Sequence, residues 1–382
     1  MFKRYRYRIY PTPSQQQSLA RLFGCVRVVY NDAVAACETA QAAGGSRPGR
    51  KELSRALTMA KTAPERSWLA EVSSVPLQQA LKDAHAAYQN FFASLKGVRK
   101  GRKVGAPRFK SRRDRAQSAR FTRNAGYSIR TVNRHKALLR LPKIGEVRVN
   151  LSRPLPADGP SSVTIIREAD GRYYASFVVD APAHQAAKPV HDNAGIDLGL
   201  NHLAVIVRED GTAEKIQNPR HLKRKLAKLA TAQKELARRQ KGSVNRHKSR
   251  RRVAVLHRRV REARADHHHK LARRIVDDNQ VIGLETLGIA GLARTRLAKS
   301  VHEAGWGILV RLIEEKAAES GRTVIRAGRN FPSTRLCSAC GTVGDKKPLH
   351  VRVWTCSCGA VLDRDINAAV NLMNVAAGHA ET

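Results

Sequence analysis

The sequence predicts an α/β protein with more than one domain, and three observations lead to this prediction. Segments in both halves of the chain alternate between apolar and polar residues, which predicts strands. Longer segments place apolar residues every three to four positions, which predicts helices. The chain has 382 residues and a hydrophobic content of 42%, so it can bury two or three separate cores.

The charge of the chain indicates its kind of partner. With 71 lysines and arginines against 31 aspartates and glutamates, the net charge is +40, far more than solubility requires. We expect a polyanionic partner whose binding weakens steeply with salt, although a solvated basic surface is the alternative. No apolar segment typical of a signal peptide or a membrane span is visible, so we expect a cytoplasmic protein without membrane contact. In a reducing compartment, its six cysteines favour metal binding over disulfides.

The first element is a predicted strand, "FKRYRYRIYP", which ends at two prolines. Its alternation places two sets of side chains on opposite faces: Lys3, Tyr5, Tyr7 and Ile9 on one, and Phe2, Arg4, Arg6 and Arg8 on the other. The tyrosines are either core residues or, with the arginines, a contact for RNA. Strands are predicted again from residue 119 to 180, where Asp-Gly in "VTIIREADGRYYASFVV" predicts a hairpin.

A helical segment interrupts this β-rich module. Helical spacing begins at "SQQQSLARLFGC", with Ser14 as the expected N-cap, and continues with breaks to about Leu95. The basic, aperiodic stretch "KGVRKGRKVGAPRFKSRRDR" follows and predicts a loop or a segment ordered by nucleic acid. We therefore assign residues 1–13 and 116–185 to a β-barrel-like module and residues 14–115 to a helical insertion with a basic loop.

The second half begins with three predicted strands, "AGIDLG", "HLAVIVRE" and "AEKI", in an antiparallel meander. Two basic helical stretches with apolar stripes follow from residue 219 to 276. A strand "QVIGLET", a helix near 303–320, a strand "TVIRA", a cysteine-bearing segment and a final helix "RDINAAVNLMNVAAG" complete the order.

Three acidic residues lie at related places in this order. Asp197 is in the first strand of the second half, Glu285 ends the fourth strand, and Asp365 is near the start of the last helix. In this order the first and fourth strands would be neighbours in one sheet and the last helix would pack on it, which matches a ribonuclease H-like fold, in which such acids converge on divalent metal. Two Mg²⁺ ions about 4 Å apart can activate a water and stabilise the leaving oxygen of a phosphodiester. The order therefore predicts a magnesium site for phosphodiester cleavage, with these three acids as ligands.

Each acid also has an ordinary structural explanation. Asp197 could cap a turn, Glu285 could be a surface residue at a strand end, and Asp365 could be the N-cap of the last helix. Asp363 is a rival for the role of Asp365. The three acids in one topological order are more specific than any of them alone.

The segment "LCSACGTVGDKKPLHVRVWTCSCG" carries a second candidate metal site. Cys337 and Cys340 form a CxxC pair, and Cys356 and Cys358 form a CxC pair. Four thiolates predict a closed, tetrahedral zinc site with a structural role. Because the second pair is one residue shorter than CxxC, His350 is an alternative ligand.

Basic residues crowd the two helical stretches between the first two acids: Lys223, Arg224, Lys225, Arg238, Arg239, Lys241, Arg250, Arg251, Arg252, Arg258, Arg259 and Arg261. They form either a groove for nucleic-acid backbone or a solvated helix face. The run from His267 to His269 is expected to be solvated, because consecutive residues of a helix point in different directions.

Taken together, these motifs resemble the TnpB (OrfB) proteins of bacterial insertion sequences, relatives of the type V CRISPR nucleases, over almost the whole chain. "YRIYPTPSQQQSLARLFGCVRVVYN" is similar to the family's N-terminal segment and "GAPRFKSRRD" to its basic element. "GIDLGLNHLAV", "VIGLETL" and "DRDINAAVNL" are similar to its three RuvC-type segments. "CSACG" with "WTCSCG" is similar to its zinc insertion.

The resemblance implies an RNA-guided DNA endonuclease that needs Mg²⁺ and carries structural zinc. Its catalytic acids would be Asp197, Glu285 and Asp365, the last chosen because it begins the family's D-x-N pattern. Its zinc ligands would be these four cysteines: Cys337, Cys340, Cys356 and Cys358.

The resemblance also implies a domain plan and partners. A wedge-like β-rich module with its helical insertion would hold a guide RNA from the element's end and read a short motif beside the target DNA. Residues 190–330 and 360–382 would form the RuvC-like nuclease, and residues 331–359 the zinc insertion. A bacterial, nucleoid-associated location would follow from DNA binding, as a monomer or a homodimer. Two other functions stay open: a transposase that joins DNA ends itself, and a nuclease-dead, guided repressor.

Overall fold

A computed structural model describes five stretches of the chain: residues 2–112, 114, 116–181, 186–348 and 350–378. This description does not include the side chain of Arg224, the basic residues Arg113 and Arg115 of the predicted loop, or the predicted module boundary at residue 185. The chain divides into two compact units, which we call unit 1 (Met1–Pro182) and unit 2 (Ala183–Thr382). Each unit is described by itself below.

Unit 1 contains an antiparallel sheet of seven strands: β1 (Phe2–Tyr10), β2 (Gln117–Thr122), β3 (Ser128–Asn133), β4 (Lys136–Leu141), β5 (Gly145–Asn150), β6 (Ser162–Arg167) and β7 (Tyr173–Asp180). Their order is β2-β6-β7-β1-β5-β4-β3, so the N-terminal strand is central. The predicted hairpin is confirmed as β6 and β7. Gly171 sits at its turn with a φ of 82°, a conformation that glycine adopts without a steric cost.

The alternation of β1 determines which residues enter the core of unit 1. Tyr7 and Ile9 are 2% and 1% exposed and belong to the same apolar cluster as residues of the helices. Tyr7 Oη still reaches the backbone oxygen of Arg153 at 3.2 Å. Of the two explanations for the alternating tyrosines, core packing is therefore correct for Tyr7.

The helical segment of unit 1 consists of three α-helices: α1 (Pro13–Ala42), α2 (Arg50–Thr62) and α3 (Ser74–Leu95). The expectation that Ser14 caps α1 was wrong, because the N-cap is Thr12. The Thr12 hydroxyl accepts a hydrogen bond from Gln15 N, and the Gln15 side chain accepts one from Thr12 N. Pro13 suits the first helical position, where its missing N–H is not needed and its fixed φ is already helical.

The basic stretch after α3 forms neither helix nor strand over its described residues, as expected of a loop. One of its residues is held firmly. Lys110 N donates to Asn31 Oδ1 at 2.8 Å, and Asn31 Nδ2 donates to Lys110 O at 3.0 Å. The Lys110 ammonium lies 3.8 Å from the centre of the Tyr30 ring. These contacts hold this part of the loop against α1.

Unit 2 contains a mixed sheet of five strands: β8 (His191–Asp197), β9 (His202–Arg208), β10 (Ala213–Gln217), β11 (Asn279–Leu284) and β12 (Thr323–Arg326). Their order is β10-β9-β8-β11-β12. The predicted antiparallel meander is confirmed by the pairing of β8, β9 and β10. The predicted first and fourth strands, β8 and β11, are indeed neighbours and run parallel. A separate ribbon pairs β13 (Val353–Thr355) with β14 (Val361–Asp363).

The helices of unit 2 are α4 (Leu226–Arg238), α5 (Val244–Asp278), α6 (Ile289–Leu292), α7 (Ala298–Ala304), α8 (Trp306–Ser320) and α9 (Arg364–Ala376). The two basic stretches are α4 and α5, which share a small apolar core around Leu229, Ala232 and Val253. Within the described ranges, no helix has the length and apolar character needed to cross a membrane.

Helix α9 lies directly against the backbone of β8 and β11. A Cβ atom added at Gly195 would lie 2.0 Å from Ala369 O, and one at Gly283 would lie 2.0 Å from Leu372 O. Both positions therefore need glycine, because real Cβ atoms do not approach backbone oxygen so closely. The absence of side chains here allows the first turn of α9 to approach the end of β8.

Two expectations about α5 were wrong. His268 was expected to be solvated, but it is 1% exposed, and its Nε2 lies 2.9 Å from Ala304 O. Burial lowers the pKa of His268 to about 4. Arg258 was grouped with the exposed basic residues, but it is buried and paired with Glu262 four residues later. A helix of 35 residues that packs against α8 must bury some positions regardless of their residue type.

Candidate active site and metal centre

Two of the predicted acids lie at the same edge of the sheet of unit 2. Ile196 pairs with Leu284 across the parallel strands β8 and β11, so Asp197, the last residue of β8, and Glu285, which directly follows β11, lie side by side where the two strands end. Leu198 N donates a hydrogen bond to Glu285 Oε1 at 3.3 Å, which orients that carboxyl toward the end of β8. The parallel pairing thus brings together two residues that are far apart in the sequence.

Asp197 is the most deeply placed of the three acids, with 8% of its surface exposed. Burial raises its pKa well above the usual range, and the neighbouring charges of Glu285 and Asp365 raise it further. Arg364 and Arg352 act in the opposite direction. The three carboxyls are therefore close enough to repel one another, which is unfavourable unless a proton or a cation neutralises them.

Burial also raises the pKa of Glu285, to about 7, although the hydrogen bond from Leu198 and the charge of Arg326 lower it. The Arg326 side chain donates to the backbone oxygen of Glu285 at 3.0 Å and forms an ion pair with Glu314. Glu285 is therefore held in place by its backbone, while its carboxyl stays available at the acid cluster.

The rival residues Asp363 and Asp365 have different environments. Asp363 is the N-cap of α9, accepts from the backbone N of Asp365 and Ile366, and pairs with Lys215 at 2.6 Å. Although burial opposes it, the hydrogen bond from Lys215 lowers the pKa of Asp363. Asp365 instead lies in the first turn of α9, next to Asp197. The cap function thus falls to Asp363, and the charge of Asp365 is directed at the cluster.

Two residues beside Asp365 were not found from the sequence. Arg352 Nη1 lies 3.2 Å and 3.5 Å from the two Asp365 oxygens. His202 Nδ1 lies 3.9 Å from Asp365 Oδ2 and has no hydrogen-bond partner within the described structure. His202 begins β9, whose pairing with β8 could have indicated the contact. The sequence gives no comparable indication that Arg352 lies beside Asp365, because Arg352 belongs to the cysteine-bearing segment.

The four predicted cysteines come together in that segment. Among the described residues, their sulfur atoms form a group in which all members lie within 4.8 Å of one another. Cys337 and Cys358 sulfurs are 3.9 Å apart, and Cys340 and Cys356 sulfurs are 3.7 Å apart. His350 is not part of this group. The three acids do not meet the same close spacing, so they form a more open cluster.

The cysteine geometry fits a zinc ion. With Zn–S bonds of about 2.3 Å, tetrahedral coordination requires S···S distances of about 3.8 Å, close to those observed. The contact with the Thr342 hydroxyl lowers the pKa of the Cys340 thiol to about 6. Although a backbone hydrogen bond from Ala360 opposes them, the neighbouring sulfurs raise the pKa of Cys358 to about 11, so the zinc assignment rests on the distances between the sulfur atoms. The CxC spacing of the second pair is therefore compatible with four sulfur ligands.

Unit 1 presents a basic surface on the side of its sheet opposite the core. We call it the basic sheet face, and it consists of Arg4, Arg6, Arg8, Arg130, Lys136, Arg140 and Arg148 with the rings of Tyr10 and Tyr174. Cross-strand pairing places these residues on one face: Arg8 opposite Tyr174 and Asn150, Tyr10 opposite Arg148, and Lys136 opposite Asn150. The guanidinium of Arg6 stacks 4.0 Å from the centre of the Tyr174 ring. Arginines and aromatic rings in this arrangement suit phosphate contacts and base stacking.

The fold and these two clusters define an α/β protein of two units, one with a buried acid cluster and a four-cysteine segment. Three protein-family models match it. They are described as "Probable transposase" over residues 176–296, "Cas12f1-like, TNB domain" over residues 306–372 and "Helix-turn-helix domain" over residues 1–46. In the last range, the structure places β1 and the single long helix α1.

A protein of Streptomyces pristinaespiralis, named "Putative RNA-guided DNA endonuclease", is 41% identical over 377 residues, which cover 97% of this chain and 88% of that protein. A relative from Escherichia coli (strain K12) with the same description is 28% identical, over 98% of this chain and 92% of its own length. The chain belongs to the TnpB/OrfB family, as its motifs predicted.

Among solved structures, the cryo-EM structure of the Cas12f1-sgRNA-target DNA complex contains a chain with a similar fold. The alignment covers 94% of this chain and 82% of that chain, with a TM-score of 0.54 and 14% sequence identity. At this level of identity the likeness concerns the fold alone.

Proposed function

We propose that this protein is an RNA-guided DNA endonuclease whose unit 2 is a ribonuclease H-like, RuvC-type nuclease domain. The observation that carries the proposal is the convergence of Asp197, Glu285 and Asp365: the charges of Glu285 and Asp365 both act on the buried Asp197 carboxyl, and a bound cation would relieve that repulsion. The sheet order β10-β9-β8-β11-β12, with an antiparallel meander followed by parallel strands, supports the nuclease fold. The relatives named as RNA-guided DNA endonucleases support the substrate and the guide.

In this proposal the three acids hold Mg²⁺, because hard divalent cations prefer carboxylate oxygen. When bound, the metal would supply an activated water and stabilise the leaving oxygen of the phosphodiester. The chain's own residues set the geometry. Leu198 N holds the Glu285 carboxyl, and the first turn of α9 presents Asp365 to Asp197. Arg352 contributes positive charge beside Asp365.

The domain plan is part of the same proposal. Residues 1–13 and 116–185 form a wedge-like, barrel-like module, and residues 14–115 its helical insertion. Residues 190–330 and 360–382 form the nuclease, and residues 331–359 form a zinc-ribbon-like insertion with a structural ion on its four cysteines. The S···S distances support that ion.

The partners follow from the charge. The basic sheet face offers arginines with aromatic rings, a combination that suits unpaired nucleotides, and we assign it to the guide RNA. The basic helices α4 and α5 lie between the first two acids in the sequence, and we assign their exposed arginines to nucleic-acid backbone. Such a protein would act in the bacterial cytoplasm, on the nucleoid.

The test begins with the protein purified from its host with the flanking element intact. Sequencing of the co-purified nucleic acid should give a discrete RNA from the element's end, which then programmes cleavage of a matching DNA in the presence of Mg²⁺. Asp197→Ala should keep the RNA and lose cleavage. Protein without RNA that selectively binds the element's DNA ends would instead support a transposase that joins DNA ends itself. An Asp197→Ala protein that still cut DNA would refute the site.

A further inference from the structure

Two buried asparagines of α9 have no part in the site described so far. Asn367 and Asn371 are each 1% exposed and lie four residues apart, so they share one face of the helix. The side-chain nitrogen of Asn367 donates to Ser333 O at 3.3 Å and to Leu336 O at 2.7 Å. That of Asn371 donates to the same two oxygens, at 2.8 Å each.

A fifth hydrogen bond completes this contact. Ser338 N donates to Asn367 Oδ1 at 2.9 Å. Ser338 directly follows Cys337, whose sulfur belongs to the four-cysteine group, and Leu336 directly precedes it. The asparagine pair, Asn367 and Asn371, therefore holds the backbone on both sides of a cysteine ligand. Asn367 in turn lies only two residues after Asp365 of the acid cluster.

A second connection between the same two sites lies on the other side of the helix start. Arg364 N donates to Arg352 O at 2.8 Å, and the Arg352 side chain pairs with Asp365. Arg352 immediately precedes β13, the strand that leads to Cys356. The cysteine-bearing segment thus contacts α9 both before and after Asp365.

We propose that the asparagine pair consists of positioning residues that couple metal occupancy of the four-cysteine site to the placement of Asp365. This inference rests on the proposed function. When the cysteines hold their ion, the backbone from Ser333 to Ser338 is fixed and satisfies both buried amides. When the ion leaves, this backbone loosens and the two side-chain amides lose their hydrogen-bond partners. Because unpaired buried amides are unfavourable, the first turn of α9 shifts. By linkage, a cation on the acids must then stabilise the cysteine site by the same factor.

If the asparagine pair had only a structural role, it would hold the segment against α9, but Mg²⁺ at the acids would not affect zinc at the cysteines. The two explanations differ in one measurable quantity, the effect of Mg²⁺ on zinc release. Zinc release is measured as the fraction of zinc that a competing colorimetric chelator holds at equilibrium with the full-length, zinc-loaded protein, with and without saturating Mg²⁺. Mg²⁺ binding to the same preparation is measured by calorimetry.

For the unchanged protein, Mg²⁺ should lower the equilibrium constant of zinc release about fivefold to tenfold, the size of an ordinary coupling between two sites. Asn367→Ala should raise this constant by a similar factor and remove its response to Mg²⁺. Asn279→Ala is the matched control, because Asn279 is also a buried asparagine of unit 2, but its side chain bonds only to Ile275 O in the described structure. Its zinc release should keep the Mg²⁺ response of the unchanged protein.

The outcomes separate the two proposals. If Mg²⁺ binds but leaves zinc release unchanged in the unaltered protein, the coupling is refuted and the proposed function stands. If Mg²⁺ does not bind at the acids at all, both fail. Should Asn367→Ala not fold, Asn371→Ala tests the same coupling, because it removes two of the five hydrogen bonds and leaves the Ser338 contact in place. Hydrogen exchange of the Ser338 amide gives a second readout, and it should speed up when zinc is removed.

Discussion

Glu285→Gln should make the Mg²⁺-free protein more stable at alkaline pH, even though it removes a proposed catalytic group. Burial raises the pKa of Glu285 to about 7 from its ordinary value of 4.5. Between these values the folded state binds more protons than the unfolded state, so its stability decreases as pH increases. Glutamine has the same shape, carries no charge and can still accept the hydrogen bond from Leu198 N.

The size of the effect follows from that pKa difference. A change from 4.5 to about 7 corresponds to about 3 kcal/mol of unfavourable free energy when the carboxyl is ionised. Because Glu285 keeps some contact with solvent, screening reduces this, and we expect a gain of about 1–2 kcal/mol near pH 8. Below pH 4.5, where the carboxyl is protonated in both states, the gain should vanish.

Urea unfolding of both proteins at several pH values measures this directly. The buffers are freed of Mg²⁺ without a chelator, so that the cysteine site keeps its ion. Added Mg²⁺ should then stabilise the unchanged protein more than the variant, because it binds the folded acid cluster. A variant that is no more stable than the unchanged protein near pH 8, or a difference that does not depend on pH, would refute the electrostatic reasoning.

Three further predictions concern unit 2 and its clusters. A decrease in pH from 6.5 to 4 should destabilise the unchanged protein by about 2–3 kcal/mol more than it destabilises His268→Gln. The pKa of His268 is lowered only in the folded state, so protonation of this histidine favours the unfolded state. Gly195→Ala should prevent unit 2 from folding, since its Cβ would overlap Ala369 O, as circular dichroism and proteolysis will show. Cys337→Ala should lower the zinc content, measured by mass spectrometry, from about one ion per chain to well below that.

The predictions for Gly195 and Cys337 each have a control within the same chain. Gly24→Ala, in the middle of α1 with no atom near its added Cβ, should stabilise by about 0.5–1 kcal/mol. Cys25→Ala should keep the full zinc content, because Cys25 is a buried core residue of unit 1. For His268, a pH dependence identical in variant and unchanged protein would show that this imidazole does not control acid stability.

The strands and the convergence of the acids could be predicted because they follow from local patterns and one topological rule. Alternation identified β1, β6 and β7, and the order of strands around Asp197 and Glu285 required β8 and β11 to be neighbours. Family motifs then selected Asp365 over Asp363. In the structure Asp363 is engaged by its cap hydrogen bonds and Lys215, which supports the proposal that Asp365 is the catalytic acid.

The features that could not be predicted depend on contacts between distant segments. Nothing in the run of three histidines shows that His268 alone would be buried beside Ala304. Asn367 belongs to the D-x-N pattern and Asn371 to no motif, but neither the pattern nor the helical spacing shows that both side chains bond to the cysteine-bearing segment. The cap of α1 was misplaced by two residues because the helix start depends on how Thr12 and Gln15 exchange hydrogen bonds.

The acid cluster is a small negative region within a chain of net charge +40. Beyond a Debye length of about 8 Å the three carboxylates have little influence, while the many basic residues repel free cations from the whole molecule. Bound nucleic acid would neutralise that repulsion and carries its own concentrated layer of cations. For the proposed mechanism this sets a difference in affinity: the protein without nucleic acid should need more Mg²⁺ to fill the acid cluster than the protein bound to its polyanion, which brings the metal with it.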